Sequence, residues 1–600
     1  MVVMVLLEVN YMVLEERFPH IISKFMNVNE LVDVDDKNRL ESLDRDEVWI
    51  RAVDQLIGDA RIVFVYGFGM GLSIVDLVEL YPDRWFFVYE PNERTFYELM
   101  SKYDYSELLN HPQLYYLAVG KSLLNGLFDM LCTYMQERLV FIAQRAYLES
   151  EMEMLYDLKK DFEKYKKTYH MNKKTEDRFR NEWTQNFLFH LPETLTTPSI
   201  EQLALKLEGC TALIVSSGPS LNEDIEWIRR LKSHVFIIAA GSSIQALIQQ
   251  GIQPHLCVIM DGHPVNNKIF ASVATLEPPM LFTSSSYYEI SERKIDGKVF
   301  SIMKNDRVTQ YFLGLDSSQL LLLPTPTVAG TSIQAAAYLG IRKILFAGQD
   351  LSYPGNQLYS KGIAHFTEEE LANATNKATR EVLNVKGSYN ATDESFLVMK
   401  SGLEELIAYF SEIEFINTSR NGAVIEGASF HPIDELYDTL VSNQVKPDVI
   451  KLLIDKYRQP PELEQVERLR SKLVFVNDDL LKVKDEIRRA RRLIHNLTQI
   501  SREKPAKGIK MYDEIETLWG NIANREWFSP LIESLMPLEL AKFDNELPTI
   551  YHEQRLVQKS DLLAKHLGEL LDKLNEQLPE LSEMLQEALL RVDKLMESNV

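Results

Sequence analysis

Cysteine is almost missing from this chain. Its 600 residues hold three, Cys132, Cys210 and Cys257, an odd count with no paired spacing. Such a set builds neither a disulfide framework nor a zinc site, and it suits a reducing compartment. Long apolar runs are missing too: no stretch approaches the ~18–20 apolar residues that cross a bilayer, so no membrane span is expected. The apolar opening Met1–Leu7 has no basic lead and stops at Glu8. That is no signal peptide, and the expected location is cytoplasmic. Positive charge is also short, with 65 Lys and Arg against 88 Asp and Glu, a net charge of −23. A chain this acidic repels a phosphate backbone unless it gathers a basic patch. Its densest basic run, Arg488-Arg-Ala-Arg-Arg492, falls inside a helical heptad and reads as a solvated face. Nucleic acid is not an expected partner.

What is present is ordinary for a globular chain: 45% hydrophobic and 26% charged residues. At ~100–200 residues per domain, the length calls for about three to five compact units. Shifts in hydrophobic period divide the chain into four segments. In residues 1–140, the run Arg61-Ile-Val-Phe-Val-Tyr66 ends in the alternating glycines Gly67, Gly69 and Gly71. An amphipathic stretch Leu72–Leu80 follows, then a second strand Trp85–Glu90. Strand, glycine turn, helix, strand and acid make a Rossmann-like βαβ unit, with Glu90 placed to accept from a ribose. The same glycines also suit a turn that merely packs. Residues 141–195 are charged and helical in pattern, a connector closed by Leu191-Pro192.

Residues 196–434 return to strand–turn–helix alternation. Short apolar strands are expected at Thr211–Val215, Val235–Ala240, Leu256–Met260, Met280–Thr283, Val299–Ile302 and Lys343–Ala347. With helices between them, they predict a doubly wound, mostly parallel sheet. Residues 435–600 change again. Leu469, Leu473, Val476, Leu480, Val483, Ile487, Ala490 and Ile494 alternate three and four apart, as do Leu563 to Leu589, with a local break expected at Pro579. This predicts an all-helical bundle. The fold class is therefore multidomain α/β with a C-terminal all-α module.

In an open parallel sheet, ligands bind beyond the carboxyl ends of the strands. Four such ends in the central segment carry small polar residues: Ser217-Gly218-Pro219-Ser220, Gly241-Ser242-Ser243, Asp261-Gly262-His263 and Gly348-Gln349-Asp350. Glycine turns against helix N-termini seat phosphate or carboxylate groups. The repetition points to a nucleotide-type pocket.

Val215-Ser-Ser-Gly-Pro-Ser-Leu221, Pro326-Thr-Val-Ala-Gly-Thr-Ser332 and Tyr338-Leu-Gly-Ile-Arg-Lys-Ile-Leu-Phe-Ala-Gly-Gln-Asp-Leu351 together resemble the motility-associated factor (Maf) flagellin glycosyltransferases. Ser216 stands where the Gly-x-Gly-Pro-Ser-Leu signature has its first glycine. More distantly, the pattern is similar to bacterial sialyltransferases that use CMP-sialic acid. The resemblance covers about residues 200–430. It implies a Maf-type glycosyltransferase domain that moves a nonulosonic acid (legionaminic, pseudaminic or related) from its CMP ester to Ser or Thr hydroxyls of flagellin, in support of flagellum assembly and motility. The partners it implies are flagellin and the CMP-activated sugar.

Carried over by motif, Gly218, Pro219, Ser220, Gly241, Ser242, Asp261 and Gln349 would line the CMP pocket, and Thr327, Gly330 and Thr331 would hold the sugar carboxylate. Tyr353 and Tyr359, six apart as in the sialyltransferases, would support the leaving phosphate. Asp350 or His365 would take the acceptor proton, since the stretch around Gly387-Ser-Tyr-Asn390 has no histidine where the sialyltransferases carry their base. The chemistry needs charge stabilisation on the phosphate and a base, so no metal ligands and no cofactor are expected. Two alternatives stay open. An archaeal pterin pyrophosphokinase family shares the Gly-x-Gly-Pro-Ser-Leu region and would use Mg²⁺ with Asp261 as a ligand. A non-enzymatic flagellar chaperone or scaffold would leave the pocket degenerate. In either flagellar reading, the helical segment 435–600 is a candidate docking surface for flagellin.

Overall fold

The computed structural model of the chain describes residues 2–25, 47–133, 138–315, 322–363 and 378–598. It packs as two compact units, residues 1–175 with 541–549, and residues 176–540 with 550–600.

The first unit is built on a four-stranded parallel sheet of β1 (Ile62–Tyr66), β2 (Trp85–Glu90), β3 (Leu114–Val119) and β4 (Leu139–Ala143), in the order β3-β2-β1-β4. β1 reads as an unbroken apolar run because both its faces are covered. Val63 and Val65 enter one core, while Ile62, Phe64 and Tyr66 enter the other. β4 pairs with β1 from Ile62↔Leu139 onward and so crosses the expected 140/141 boundary. The connector pattern belongs to one long helix, Met152–Phe189.

The second unit holds β5 (Thr211–Val215), β6 (Phe236–Ala240), β7 (Leu256–Ile259), β8 (Met280–Thr283), β9 (Lys298–Ser301), β10 (Lys343–Ala347), β13 (Glu414–Asn417) and β14 (Ser429–Phe430). All pair in parallel, in the order β14-β13-β10-β5-β6-β7-β8-β9. β11 (Arg380–Leu383) and β12 (Tyr389–Thr392) form a separate antiparallel hairpin. Along β5, Ala212 and Ile214 pack in one core and Leu213 and Val215 in the other. The chain order reverses between β5 and β10, the kind of switch point beside which ligands bind in open α/β sheets.

The C-terminal helices Leu463–Glu503 and Leu556–Ser598 follow the apolar seam expected of them. Leu469, Leu473, Val476, Leu480, Val483, Ile487, Ala490 and Ile494 are all buried. Asp479 interrupts that seam without loss, because Arg525 Nε at 2.7 Å and Trp527 Nε1 at 3.0 Å both donate to it. The expected break at Pro579 does not occur: the helix runs through it. Pro579 lies on the exposed face, where the buried leucines on either side outweigh one lost backbone bond. Three of the four arginines of the basic run are paired with acids, Arg488 with Asp485 at 3.0 Å, Arg489 with Glu514 and Arg491 with Asp572. Val445, Ile450 and Ile454 sit in the core of the large sheet rather than in the helical seam.

Candidate functional site

The loops after β5 and β10 are stitched together. Ser216 N–H donates to Ala347 O at 2.8 Å and Gly218 N–H to Gly348 O at 2.9 Å. The approach is so close that a Cβ on Gly218 would stand 2.4 Å from Asp350 Oδ2 and 2.6 Å from Gly348 O. Gly348 has φ 65°, and a Cβ there would meet Ser216 O at 2.4 Å. Glycine is required at both positions by packing. Into this contact the buried Asp350 carboxylate accepts the Ser220 N–H at 2.8 Å and the Ser220 hydroxyl on its other oxygen. Burial raises the Asp350 carboxyl to about 6, against the pull of the Ser220 bonds. Beside it, the Ser216 hydroxyl donates to Gln349 Oε1 at 2.5 Å, and Gln349 N–H donates to Ser419 Oγ at 2.8 Å. The structure thus brings Gly218, Pro219, Ser220, Gln349 and Asp350 together at one junction. Both oxygens of Asp350 are spent on Ser220, which makes it a clamp on the turn.

The neighbouring strand ends are more open. Gly241 turns with φ 53°, and Ser242 Oγ donates to Ser217 Oγ at 3.0 Å. Val328, the first residue of the helix Val328–Tyr338, lies 3.5 Å from where a Gly241 Cβ would be. Thr327 caps that helix, its hydroxyl accepting from Gly330 N–H at 3.0 Å. Gly330 and Thr331 face the protein instead. A Cβ on Gly330 would touch Leu406 and Thr325 at 2.9 Å, and the buried Thr331 hydroxyl donates to Met260 Sδ at 3.1 Å. Of the trio expected at a sugar carboxylate, Thr327 marks a half-exposed helix start and the other two are packing groups in this geometry.

At the end of β7, Asp261 is solvent-accessible, yet protein crowds its carboxyl and raises its pKa, with the His263 charge opposing. Tyr359, half-buried in the loop after β10, is pushed up to about 12 by burial and by the Asp261 charge. The same loop reaches the turn after β5, where Ser360 N–H donates to Ser217 O at 2.8 Å. Tyr353 turns elsewhere: its hydroxyl donates to Asp393 Oδ2 at 2.7 Å and its ring lies edge-on to Phe396. His365 lies outside the described residues.

The long helix supplies a wall that strand-end reasoning missed. Asn186 Nδ2 donates to Gly262 O at 3.0 Å and to Ser285 O at 3.2 Å, pinning the turn between Asp261 and His263. A Cβ on Gly262 would strike Ser285 O at 2.5 Å and Trp183 at 2.9 Å. Phe179 and Trp183 stack at 6.1 Å, and the His263 ring meets Phe179 at 5.7 Å, nearly perpendicular. A signal was available. Phe179, Trp183, Asn186 and His190 recur four, three and four apart, one helical stripe on an otherwise charged segment.

The glycine turn of the first unit is filled by its own protein. The buried Glu90 carboxylate accepts from Phe68 N–H at 2.8 Å, Asn92 N–H at 2.9 Å and the Tyr147 hydroxyl at 2.7 Å. The Tyr147 ring would lie 2.4 Å from a Cβ on Gly67. Burial raises Glu90 to about 7 while these three bonds oppose it. Glu90 is therefore engaged by protein donors where a ribose contact was expected, because β4 leads straight into the short helix that carries Tyr147.

Among the described residues, no three His, Cys, Asp or Glu side chains gather closely enough to share a metal ion. Nor is any described helix long and apolar enough to cross a membrane. Residues 185–356 match the family model described as 6-hydroxymethylpterin diphosphokinase MptE-like, a span running from the end of the long helix through β10. The whole chain resembles the solved structure of a Maf glycosyltransferase from Magnetospirillum magneticum AMB-1. The TM-score is 0.57 at 13% identity, over 97% of this chain and 98% of that one. No curated protein matches. A likeness at that identity establishes a shared fold along the full length.

Proposed function

We propose that the chain is a glycosyltransferase that holds a CMP-activated nonulosonic acid at the ends of β5, β6 and β7 and passes the sugar to a Ser or Thr hydroxyl of flagellin. The observation that carries this reading is the full-length likeness to a Maf glycosyltransferase, supported by neighbouring strand ends at which Ser242 bonds Ser217 and the Asp261 charge reaches Tyr359. In the transfer, the bond from the sugar's anomeric carbon to the phosphate oxygen breaks, and its electron pair leaves with CMP. The acceptor oxygen attacks that carbon and gives up its proton. Asp261 is the accessible carboxylate here, and crowding that raises its pKa makes it the better base. Asp350 acts as a positioning residue through Ser220. Tyr359 supplies a phenol that stays protonated near neutral pH and so can donate to the leaving phosphate.

The match over residues 185–356 favours a second reading, diphosphate transfer to a hydroxymethylpterin. That reaction would place Mg²⁺ on Asp261. Among the described residues, no three-ligand set gathers around it. Incubation with flagellin and a panel of CMP-sugars, followed by intact-mass measurement, tests the first reading: a mass gain of one nonulosonic acid is expected. Formation of AMP from ATP and hydroxymethylpterin, with flagellin unchanged, would replace it with the second.

A further inference from the structure

His263 is used by neither motif, yet it is held in place. It opens the short 3₁₀ turn Pro264–Lys268, and its Nδ1 accepts the Val265 N–H at 3.1 Å. An imidazole that accepts at Nδ1 carries its neutral-form proton on Nε2, so the outward edge of the ring is a donor. The Phe179 ring fixes the second degree of freedom, meeting the imidazole at 85°. Asn186 holds the Gly262 carbonyl just before it. The side chain is nevertheless exposed, two residues from Asp261 at the same strand end. A ring oriented by a backbone bond and an aromatic edge, with its donor pointing outward, is a preorganised contact for an acceptor-rich group.

The neighbouring groups narrow what that group is. Asp261 repels an anion, and Ser217 and Ser242 are uncharged. A phosphate seated at these strand ends needs a donor on the β7 side, and His263 supplies one. We propose that His263 donates from Nε2 to the phosphate of the bound nucleotide, steadying the charge that grows there as the sugar departs, an inference that rests on the CMP-sugar reading above. The bookkeeping is complete without a further reactant: the anomeric carbon–oxygen bond breaks toward phosphate, the new bond forms to the acceptor oxygen, and the acceptor proton goes to Asp261. His263 serves as donor and not as base, because taking a proton at Nδ1 would break its bond to Val265 N–H.

Calorimetry with CMP and with cytidine, on the full-length wild type and on His263→Ala and His263→Gln, tests this. The alanine variant should bind CMP about tenfold more weakly while cytidine affinity holds, as expected for one hydrogen bond to a charged group. Glutamine, whose amide can donate from nearly the same place, should recover most of the loss. Thermal unfolding of both variants should match wild type, since the ring is exposed. CMP affinity unchanged in the alanine variant, or CMP and cytidine weakened alike, would overturn the assignment while leaving the CMP-sugar reading intact. Wild-type protein that binds neither compound would remove that reading, and this inference with it.

Discussion

Ser220 and Asp350, 130 residues apart, form a closed pair in which both carboxylate oxygens accept from one serine, through its backbone N–H at 2.8 Å and through its hydroxyl. The pair joins the loops after β5 and β10 where the sheet reverses its order. Asn421 N–H in turn donates to Ser220 Oγ at 3.2 Å, bringing the loop after β13 into the same junction.

Ser220→Ala should therefore destabilise the fold as well as the pocket. Removing a hydroxyl donor from a buried carboxylate costs about 1–3 kcal/mol. Asp350 titrates at about 6, so the bond to its charged form is at stake mainly above that pH. Urea unfolding should show a larger deficit at pH 8 than at pH 5. An equal deficit at both would mean the serine contributes only by packing.

Gly218→Ala is expected to cost about 1–3 kcal/mol, the usual penalty of overpacking. The new methyl would meet Asp350 Oδ2 at 2.4 Å with carbonyl Gly348 O behind it, and neither can retreat without breaking the clamp. A melting temperature equal to wild type would show that the two loops are free to separate.

Tyr147→Phe removes one of three donors to Glu90 and keeps the ring over Gly67. Glu90 carries a native pKa of about 7 against an ordinary value near 4.3. The native state thus holds the extra proton between those values, and its stability falls as pH rises through that window. Losing the tyrosine bond raises the native pKa further and carries that fall on to higher pH. The cost should be about 1.5–3 kcal/mol at pH 8 and much smaller at pH 5. A pH-independent cost would remove Glu90 ionisation as the cause.

Deleting residues 440–600 should abolish folding of the large sheet, because Val445, Ile450 and Ile454 are buried in its core. Each large-to-small loss of this kind costs about 2–5 kcal/mol, and three exceed the usual margin of a domain. Soluble protein that still binds CMP after this deletion would show that the sheet stands alone. It would also reopen the helices as a separable docking module for flagellin.

Much of the architecture follows from local pattern. β5 and β10 are legible because a strand buried on both faces must be apolar at every position, and Thr211–Val215 and Lys343–Ala347 nearly are. The seam of Leu463–Glu503 is legible because a three–four period has one helical meaning. β13 and the β11–β12 hairpin are not legible, since Glu414–Asn417, Arg380–Leu383 and Tyr389–Thr392 each carry at most two large apolar residues among polar ones.

The sequence by itself determined which residue types stand at the strand ends, and the tertiary structure alone decided what each has left to offer a ligand. Asp350 and Asp261 read alike as acids closing apolar strands. Only the fold spends one on Ser220 and leaves the other open beside His263. Glu90 stood where a ribose acceptor belongs, yet Tyr147 reached it first, 57 residues downstream. The reason is physical. A strand or helix is written in contacts between near neighbours, whereas the hydrogen-bonding capacity of a buried side chain depends on groups that only chain reversal brings within 3 Å.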